Sequence, residues 1–402
     1  MQNDQDAVGK GSSVDPSASD AAAGFEVGLD FERFAQRNDI YRRSFWDERI
    51  RSPRTERFYR TYRETLSEWR RAEGFTQRDY ALRNAAWHVS DLFTEYRRDQ
   101  DRREGFSDPY TLQLPEAAER VPFDSPRVAA DEIRRVARVF GAGDVGFTAR
   151  DERWMYSAKM SDMSGLERPV DVPPELDQVI VIAMPMDLDL IATVPSALSG
   201  AATGLGYSQD ALVLLGLTQY LRNLGYRAVA SANDSALAVP LAVKAGLGEY
   251  GRLGLLISPR FGPRLRLGKI FTDLPLAHDS PRAFGVREFC DQCRRCVVAC
   301  PVKAVPDGPP GPPPPGPSYL KGVRKWTIDA EKCFGYWAAQ NSDCAICIRV
   351  CPYNRDFSRR GARVWRWLAG TRLRRLALWL DLRSRRSERL SPRQWWQRVR
   401  PS

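Results

Sequence analysis

Every cysteine of the sequence lies between Cys290 and Cys351, and the eight fall into two groups. Cys290, Cys293, Cys296 and Cys300 are separated by two, two and three residues, and Pro301 follows the last. Cys344, Cys347 and Cys351 repeat the two- and three-residue gaps before Pro352, while Cys333 stands apart, with ten residues between it and Cys344. Two-residue gaps let a short loop curl with its sulfurs inward and its backbone N–H groups free to bond cluster sulfides. The cysteine before proline leads the chain away to a second centre. The pattern predicts two [4Fe–4S] clusters ligated crosswise, with Cys290, Cys293, Cys296 and Cys351 on one and Cys300, Cys333, Cys344 and Cys347 on the other. Disulfides are one alternative, but eight cysteines confined to one segment of 402 residues are not a stapled mini-domain. Structural zinc is the other, and its paired knuckles do not carry a three-residue step into Cys-Pro.

A folded body must hold these groups. The chain is long enough for two or three domains, and its 43% apolar content is that of a globular protein. No run of 18 apolar residues occurs, which predicts no membrane-spanning helix. Residues 1 to 24 are rich in Asp, Ser, Ala and Gly without an apolar core, and read as a disordered leader. Arg42 and Arg43 before Ser44 and Phe45 imitate a twin-arginine export motif, yet Trp46, Asp47, Glu48 and Arg49 follow where an apolar segment is needed. The expectation is a cytoplasmic protein, its inner-membrane contact, if any, peripheral. Net charge is +11, but residues 361–402 hold twelve Arg, one Asp and one Glu, so 12 − 2 = +10 of it sits in the tail. In that tail Trp365, Trp367, Leu368, Leu373, Leu376, Leu380, Trp395 and Trp396 alternate with arginines. A basic helix of this kind suits an anionic membrane surface or an acidic partner, and no nucleic-acid-binding fold is visible.

Periodicity sketches the elements. Residues 25–123 form a helical N-terminal region, with two amphipathic helices between Arg54 and Arg103 broken at Gly74. Their aromatic stripe, which includes Phe58, Tyr62, Leu66, Trp69, Tyr80, Trp87, Leu92 and Tyr96, reads as core packing. Residues 124–282 alternate helices and strands and predict an α/β (α+β) domain. A helix opens at Ser125-Pro126 with Ile133, Val136, Ala137 and Phe140 on one face. Strands follow at Val145–Thr148 and at Gln178–Ala183, the second buried on both sides. A Gly/Ala-rich loop runs to Gly206, then a helix from Ser208 to Asn223, a strand from Ala228 to Ala230 and a helix from Ala236 to Ala245. Strands from Leu253 to Ser258 and from Leu265 to Phe271 complete the domain. Gly246, Gly248 and Gly251 spell a dinucleotide fingerprint, but it follows a helix and precedes a strand, the reverse of the nucleotide order. Three glycines still let a bulky cofactor approach the backbone. Residues 283–360 form the ferredoxin-like domain, and the Pro-rich insertion 306–317 within it reads as an extended, solvated linker.

The segment from Glu132 to Thr148, the one from Asn233 to Leu267 that holds the three glycines, Phe271 to Leu276, and both cysteine groups with Cys333-Phe-Gly-Tyr-Trp and Cys351-Pro-Tyr-Asn resemble the reductive dehalogenase family. That resemblance implies a nitroreductase-like cobalamin-binding domain followed by a ferredoxin-like domain that passes electrons to the cobalt. It implies cobalamin bound base-off without a histidine ligand, and the only histidines are His88 and His278. It assigns Tyr207 as proton donor to the substrate carbon, Asn233 as a substrate-pocket residue and Arg266 as the cation beside the tyrosine. No fused flavin reductase is visible, so an external ferredoxin or flavodoxin is implied as electron donor, and a small organohalide as substrate. Two other readings stand beside this one: an epoxyqueuosine reductase-like RNA-modifying enzyme, and an electron carrier or cobalamin-binding chaperone with no substrate of its own.

Overall fold

The computed structural model describes residues 16–63, 72–98, 114–160 and 164–397. Four helices come first: α1 (Pro16–Ala23), α2 (Ile40–Trp46), α3 (Pro53–Arg63) and α4 (Gln77–Arg98). The leader expectation is corrected at α1, where Asp20 is buried between Arg153 (2.5 Å) and Lys244 (2.9 Å). A short Ala-rich helix does not stand alone in water, and this doubly paired carboxylate ties it to the body. The twin arginines of α2 are structural. Both are buried, and Arg43 binds Asp47 (2.6 Å), Glu331 (2.7 Å) and Ser318 (2.8 Å). α3 and α4 are the two expected amphipathic helices, and the chain turns between them at Gly74 with φ +83°. Phe58 and Tyr80 are core residues as expected, whereas Leu66 and Trp69 lie outside the described residues.

The central domain opens with α5 (Pro126–Val139), whose N-terminus is capped by the Ser125 hydroxyl accepting from the Val128 N–H. There follow β1 (Asp144–Ala149), the short pair β2 (Lys159–Met160) and β3 (Glu167–Arg168), then β4 (Gln178–Pro185), α6 (Leu188–Ala192) and α7 (Ala197–Asn223). β5 (Ala228–Ser231), α8 (Ala238–Lys244), β6 (Glu249–Tyr250), β7 (Leu256–Ile257) and β8 (Leu265–Thr272) complete it. The main sheet has the order β1-β4-β8-β5, and each of its pairings is antiparallel, with Val181 opposite Gly146 on one side and Lys269 on the other. The alternation of strands and helices therefore yields the α+β form. Ile180 and Ile182 of β4 face α5 and α7, while Val179, Val181 and Ala183 face α8, so the strand is buried on both sides as its apolar run predicts.

Two expectations here are overturned. The stretch up to Gly206 is helix, not loop, because Ser196 caps α7 and its glycines admit neighbours that a side chain would exclude. A Cβ on Gly204 would stand 2.4 Å from Trp87 Cδ1, and one on Gly206 2.8 Å from Arg266 Cγ. Tertiary contact here outweighs the roughly 1 kcal/mol by which each glycine disfavours helix. The strand expected over Leu253–Ser258 is only the two-residue β7, which pairs with β6, itself within the glycine motif, in a short hairpin.

The cysteine domain is built on α9 (Val286–Cys293), α10 (Arg295–Ala299), α11 (Ala330–Gln340) and α12 (Ile346–Arg349). It continues into α13 (Arg360–Gly370), α14 (Arg374–Leu382) and α15 (Pro392–Gln397). The Pro-rich insertion is not a free linker. Buried Arg252 donates to the carbonyls of Pro306 (2.9 Å), Asp307 (3.0 Å) and Gly308 (2.7 Å), and Gly311 bridges Lys325. Nor is the basic tail a free segment: α13 and α14 pack on α9, and the Trp396 indole N–H donates to Asp79 (2.9 Å).

Candidate active site and cluster ligands

Tyr207 lies on α7, Asn233 in the turn after β5 and Arg266 at the start of β8, and the fold brings the three to one point. Asn233 Nδ2 is 3.2 Å and Arg266 Nη1 3.3 Å from the Tyr207 hydroxyl. Both are donors, so the phenolic oxygen accepts twice and neither bond uses its hydrogen. The two glycines before Tyr207 create this geometry: at Gly204 the Trp87 ring moves in and stacks on the tyrosine at 5.0 Å, and at Gly206 the Arg266 stem passes. Burial is the largest influence and works against the Arg266 charge, but Tyr207, together with Tyr41 and Asp343, outweighs it and raises the guanidinium above its ordinary range. Buried Gln36 sets the Asn233 turn, donating to its carbonyl (3.1 Å) while accepting from the Met160 N–H (2.9 Å). Trp87 and Gln36 carry no sequence signal of their role, because their partners are more than a hundred positions away.

A cleft of about 340 Å³ opens between the N-terminal segment, α8, the β6 hairpin and the Pro-rich insertion; Tyr207, Asn233 and Arg266 are not among its lining residues, and its wall residue Tyr156 is the one on which Tyr207 acts. Its walls include Phe34, Trp154, Tyr156 and Trp326, with Asp39 and Lys325 among the polar groups, and neither histidine lines it. Tyr41, which is not itself in the cleft wall, lies within reach of both the Tyr207 site and the cysteine domain. Burial first, then the neighbouring Cys333, Asp39 and Tyr207, push its phenol well above its usual range. The glycine motif contributes differently from the expectation. Cβ atoms on Gly246, Gly248 and Gly251 would strike Ser280 O (2.6 Å), Ile257 O (2.2 Å) and Ile257 Cγ1 (2.7 Å), so these glycines serve backbone packing, and Glu249, Tyr250 and Gly254 line the cleft instead. The next residue, Arg252, reaches the cysteine domain through Cys290 O (3.0 Å).

None of the eight cysteines is in a disulfide. The thiols acting on Cys351 are Cys290, Cys293 and Cys296. Those acting on Cys344 are Cys333 and Cys300, and Cys347 feels Cys344, Cys333, Cys300 and also Cys296. Burial above all opposes ionisation, pushing Cys293 and Cys344 up to about 12 and Cys296 and Cys333 to about 11, a cost that bound iron cations would offset. Among the described residues no group of three or more His, Cys, Asp or Glu closes on a single-ion position of the kind zinc requires. The distant Cys333 has a simple structural cause: it sits on α11, and the rest of that helix, up to Gln340, takes up most of the ten-residue gap. There Phe334 packs against Phe58 (5.8 Å) and Trp337 against Tyr41 (5.4 Å), so the insertion docks the N-terminal helices on the cysteine domain.

The paired cysteine groups define an iron–sulfur protein, and residues 289–354 match the family model of a 4Fe-4S double cluster binding domain. Residues 164–276 match the family model of a reductive dehalogenase subunit, and the chain is a relative of the reductive dehalogenases. It is 37% identical over 271 residues to a tetrachloroethene reductive dehalogenase of Dehalobacter restrictus, covering 58% of this chain and 49% of that protein. It is 33% identical over 271 residues to the tetrachloroethene reductive dehalogenase of Sulfurospirillum multivorans, covering 61% and 54%. An epoxyqueuosine reductase of a Synechococcus species is 25% identical over 289 residues, covering 62% of this chain and 82% of that protein. A catabolic reductive dehalogenase solved with 3-bromo-4-hydroxybenzoic acid shares the fold, with a TM-score of 0.70 at 21% identity over 91% of this chain and 48% of that one. The chain spans about half the length of the dehalogenases it matches. No helix among the described residues is long and apolar enough to cross a membrane.

Proposed function

We propose that this chain is a reductive dehalogenase acting on a small organohalide, with two [4Fe–4S] clusters and a base-off cobalamin held by a nitroreductase-like domain. The observation that carries the reading is the convergence of Asn233 and Arg266 on the Tyr207 hydroxyl, in a chain whose cysteine domain helps to wall an aromatic cleft next to Tyr156. The residues fit a corrinoid. Among the described residues the Trp154 indole N–H, buried in the cleft wall, has no partner, and cationic Lys325 and Arg324 line the cleft, where phosphate would be neutralised. Bound there, cobalamin would supply the electron pair that breaks the carbon–halogen bond.

The chain's own residues then handle the proton. Tyr207 gives its phenolic hydrogen to the carbon, Arg266 stabilises the oxygen left negative, and Asn233 holds that oxygen in place while presenting its amide to a polar substituent. Trp87 keeps the ring plane fixed and excludes water from that side. Cys290, Cys293, Cys296 and Cys351 would hold one cluster. Cys300, Cys333, Cys344 and Cys347 would hold the other, and Cys333 acts on Tyr41 of the N-terminal region. Electrons would enter from an external ferredoxin or flavodoxin at the first cluster. Anaerobic reconstitution with cobalamin, followed by halide release under saturating artificial reductant, tests the reading. Corrinoid uptake without halide release from any organohalide, together with reduction of epoxyqueuosine in tRNA, would move the chain to the RNA-modifying branch.

A further inference from the structure

α13 and α14 turn one face inward and leave another uncovered. Inward, Ala362, Trp365, Ala369 and Ala377 join the core around Cys290, Cys296 and Cys351, and the Trp365 indole N–H donates to Ala377 O at 2.9 Å. Outward stand Val364, Trp367, Leu373, Leu376, Trp379 and Leu382, from 44% to 64% exposed. Large apolar side chains gathered on two successive helices mark a surface that something covers. The charge on the same helices is of one sign. Between Arg359 and Ser387 the only acid is Asp381, which is buried against Arg355 and Arg295 (2.6 Å), so it offsets nothing at the surface. Arg372, Arg375 and Arg383 make no ion pair among the described residues, and Arg383 lies over the Trp379 ring at 4.2 Å.

We propose that this face seats on an anionic phospholipid surface, with Trp367, Trp379 and the leucines in the headgroup boundary and the arginines on phosphates. A second copy of the chain is a poor occupant, since a self-complementary contact would set these arginines against themselves. An acidic protein would answer the charge but not the tryptophans and leucines, whereas a bilayer interface answers both. The α9 helix that carries Cys290 and Cys293 packs beneath the two tail helices, so the first cysteine group lies on the membrane side. The proposal is independent of the dehalogenase reading.

The test uses the full chain with its clusters assembled, sedimented with phosphatidylcholine vesicles with and without phosphatidylglycerol. Binding is expected only with the anionic lipid and is released in about 1 M salt, where the screening length falls to about 3 Å. Trp367→Ser with Trp379→Ser is expected to weaken binding by roughly tenfold or more, with iron content and thermal midpoint unchanged. Should that variant lose iron, Arg372→Gln with Arg375→Gln and Arg383→Gln carries the same test through loss of the anionic preference. Equal binding to neutral vesicles, no binding to either, or undiminished binding by a variant that retains iron would overturn the proposal. So would a concentration-dependent dimer abolished by the tryptophan substitutions, which would give the face to a second copy.

Discussion

At the scale of single residues the site separates the group that reacts from the groups that tune it. Tyr207→Phe keeps the ring and its stacking on Trp87 and removes only the hydroxyl, so iron content and corrinoid uptake should be unchanged. Turnover should fall by the roughly 10²- to 10⁴-fold that general acid catalysis contributes, read as halide release under saturating reductant. One turn further along α7, Asp210 is 1% exposed, and neither carboxylate oxygen has a hydrogen-bond partner among the described residues. Burial lifts its carboxyl to about 7 even though Lys269 and Arg266 pull the other way. The folded chain thus holds a proton that the unfolded chain releases above about pH 4, so stability should decline as pH rises from about 5 towards 7. Asp210→Asn should flatten that slope in urea titrations across the window, and an unchanged slope would mean that Asp210 is ionised throughout. The cysteines were legible in the sequence because their chemistry is local spacing. Tyr207 was not, since among fourteen tyrosines only resemblance to a family singled it out.

At the scale of elements, the sequence was legible where local pattern and burial agree, as in the Ser125-capped α5 and the doubly buried β4. It misled where a distant partner decides. The glycines of α7 look like a loop until Trp87 and Arg266 are set against them, and the tail looks free until Asp381 is seen buried under it. Both cases give predictions. Gly204→Ala gains about 1 kcal/mol of helix propensity, but its Cβ would meet three Trp87 ring atoms at 2.4 to 2.8 Å, and overpacking of this kind costs about 1–3 kcal/mol. The net change should be a lower unfolding midpoint, with a larger loss of turnover because Tyr207 moves with the indole. Asp381→Asn leaves Arg355 and Arg295 without their shared carboxylate in a site that is 4% exposed at the acid. The cost should be about 3–5 kcal/mol, read as earlier urea unfolding and faster proteolysis of residues 360–397.

At the scale of the whole molecule, the two halves are coupled through the cysteine domain. Arg252 leaves the β6 hairpin of the central domain for Cys290 O, and α11 carries Cys333 beneath the N-terminal helices, so each group of thiols is held by a different part of the chain. The crossed ligation makes this coupling testable. Cys351 lies far along the sequence from Cys290, Cys293 and Cys296, yet these are the thiols that act upon it, while its sequence neighbour Cys344 answers to Cys333 and Cys300, and Cys347 to Cys344 and Cys333 ahead of Cys296 and Cys300. Cys351→Ala should therefore deplete the cluster of the first group. The reconstituted chain should fall from about eight irons towards about four, and the surviving signal should be the one lost in Cys333→Ala. Cys333 acts on Tyr41, so the Cys351 variant should keep the cluster next to the N-terminal helices, whereas the Cys333 variant should lose it. If Cys351→Ala and Cys333→Ala remove the same spectroscopic signal, the two groups ligate without crossing, and the cysteine domain would be two successive loops rather than one interlocked unit.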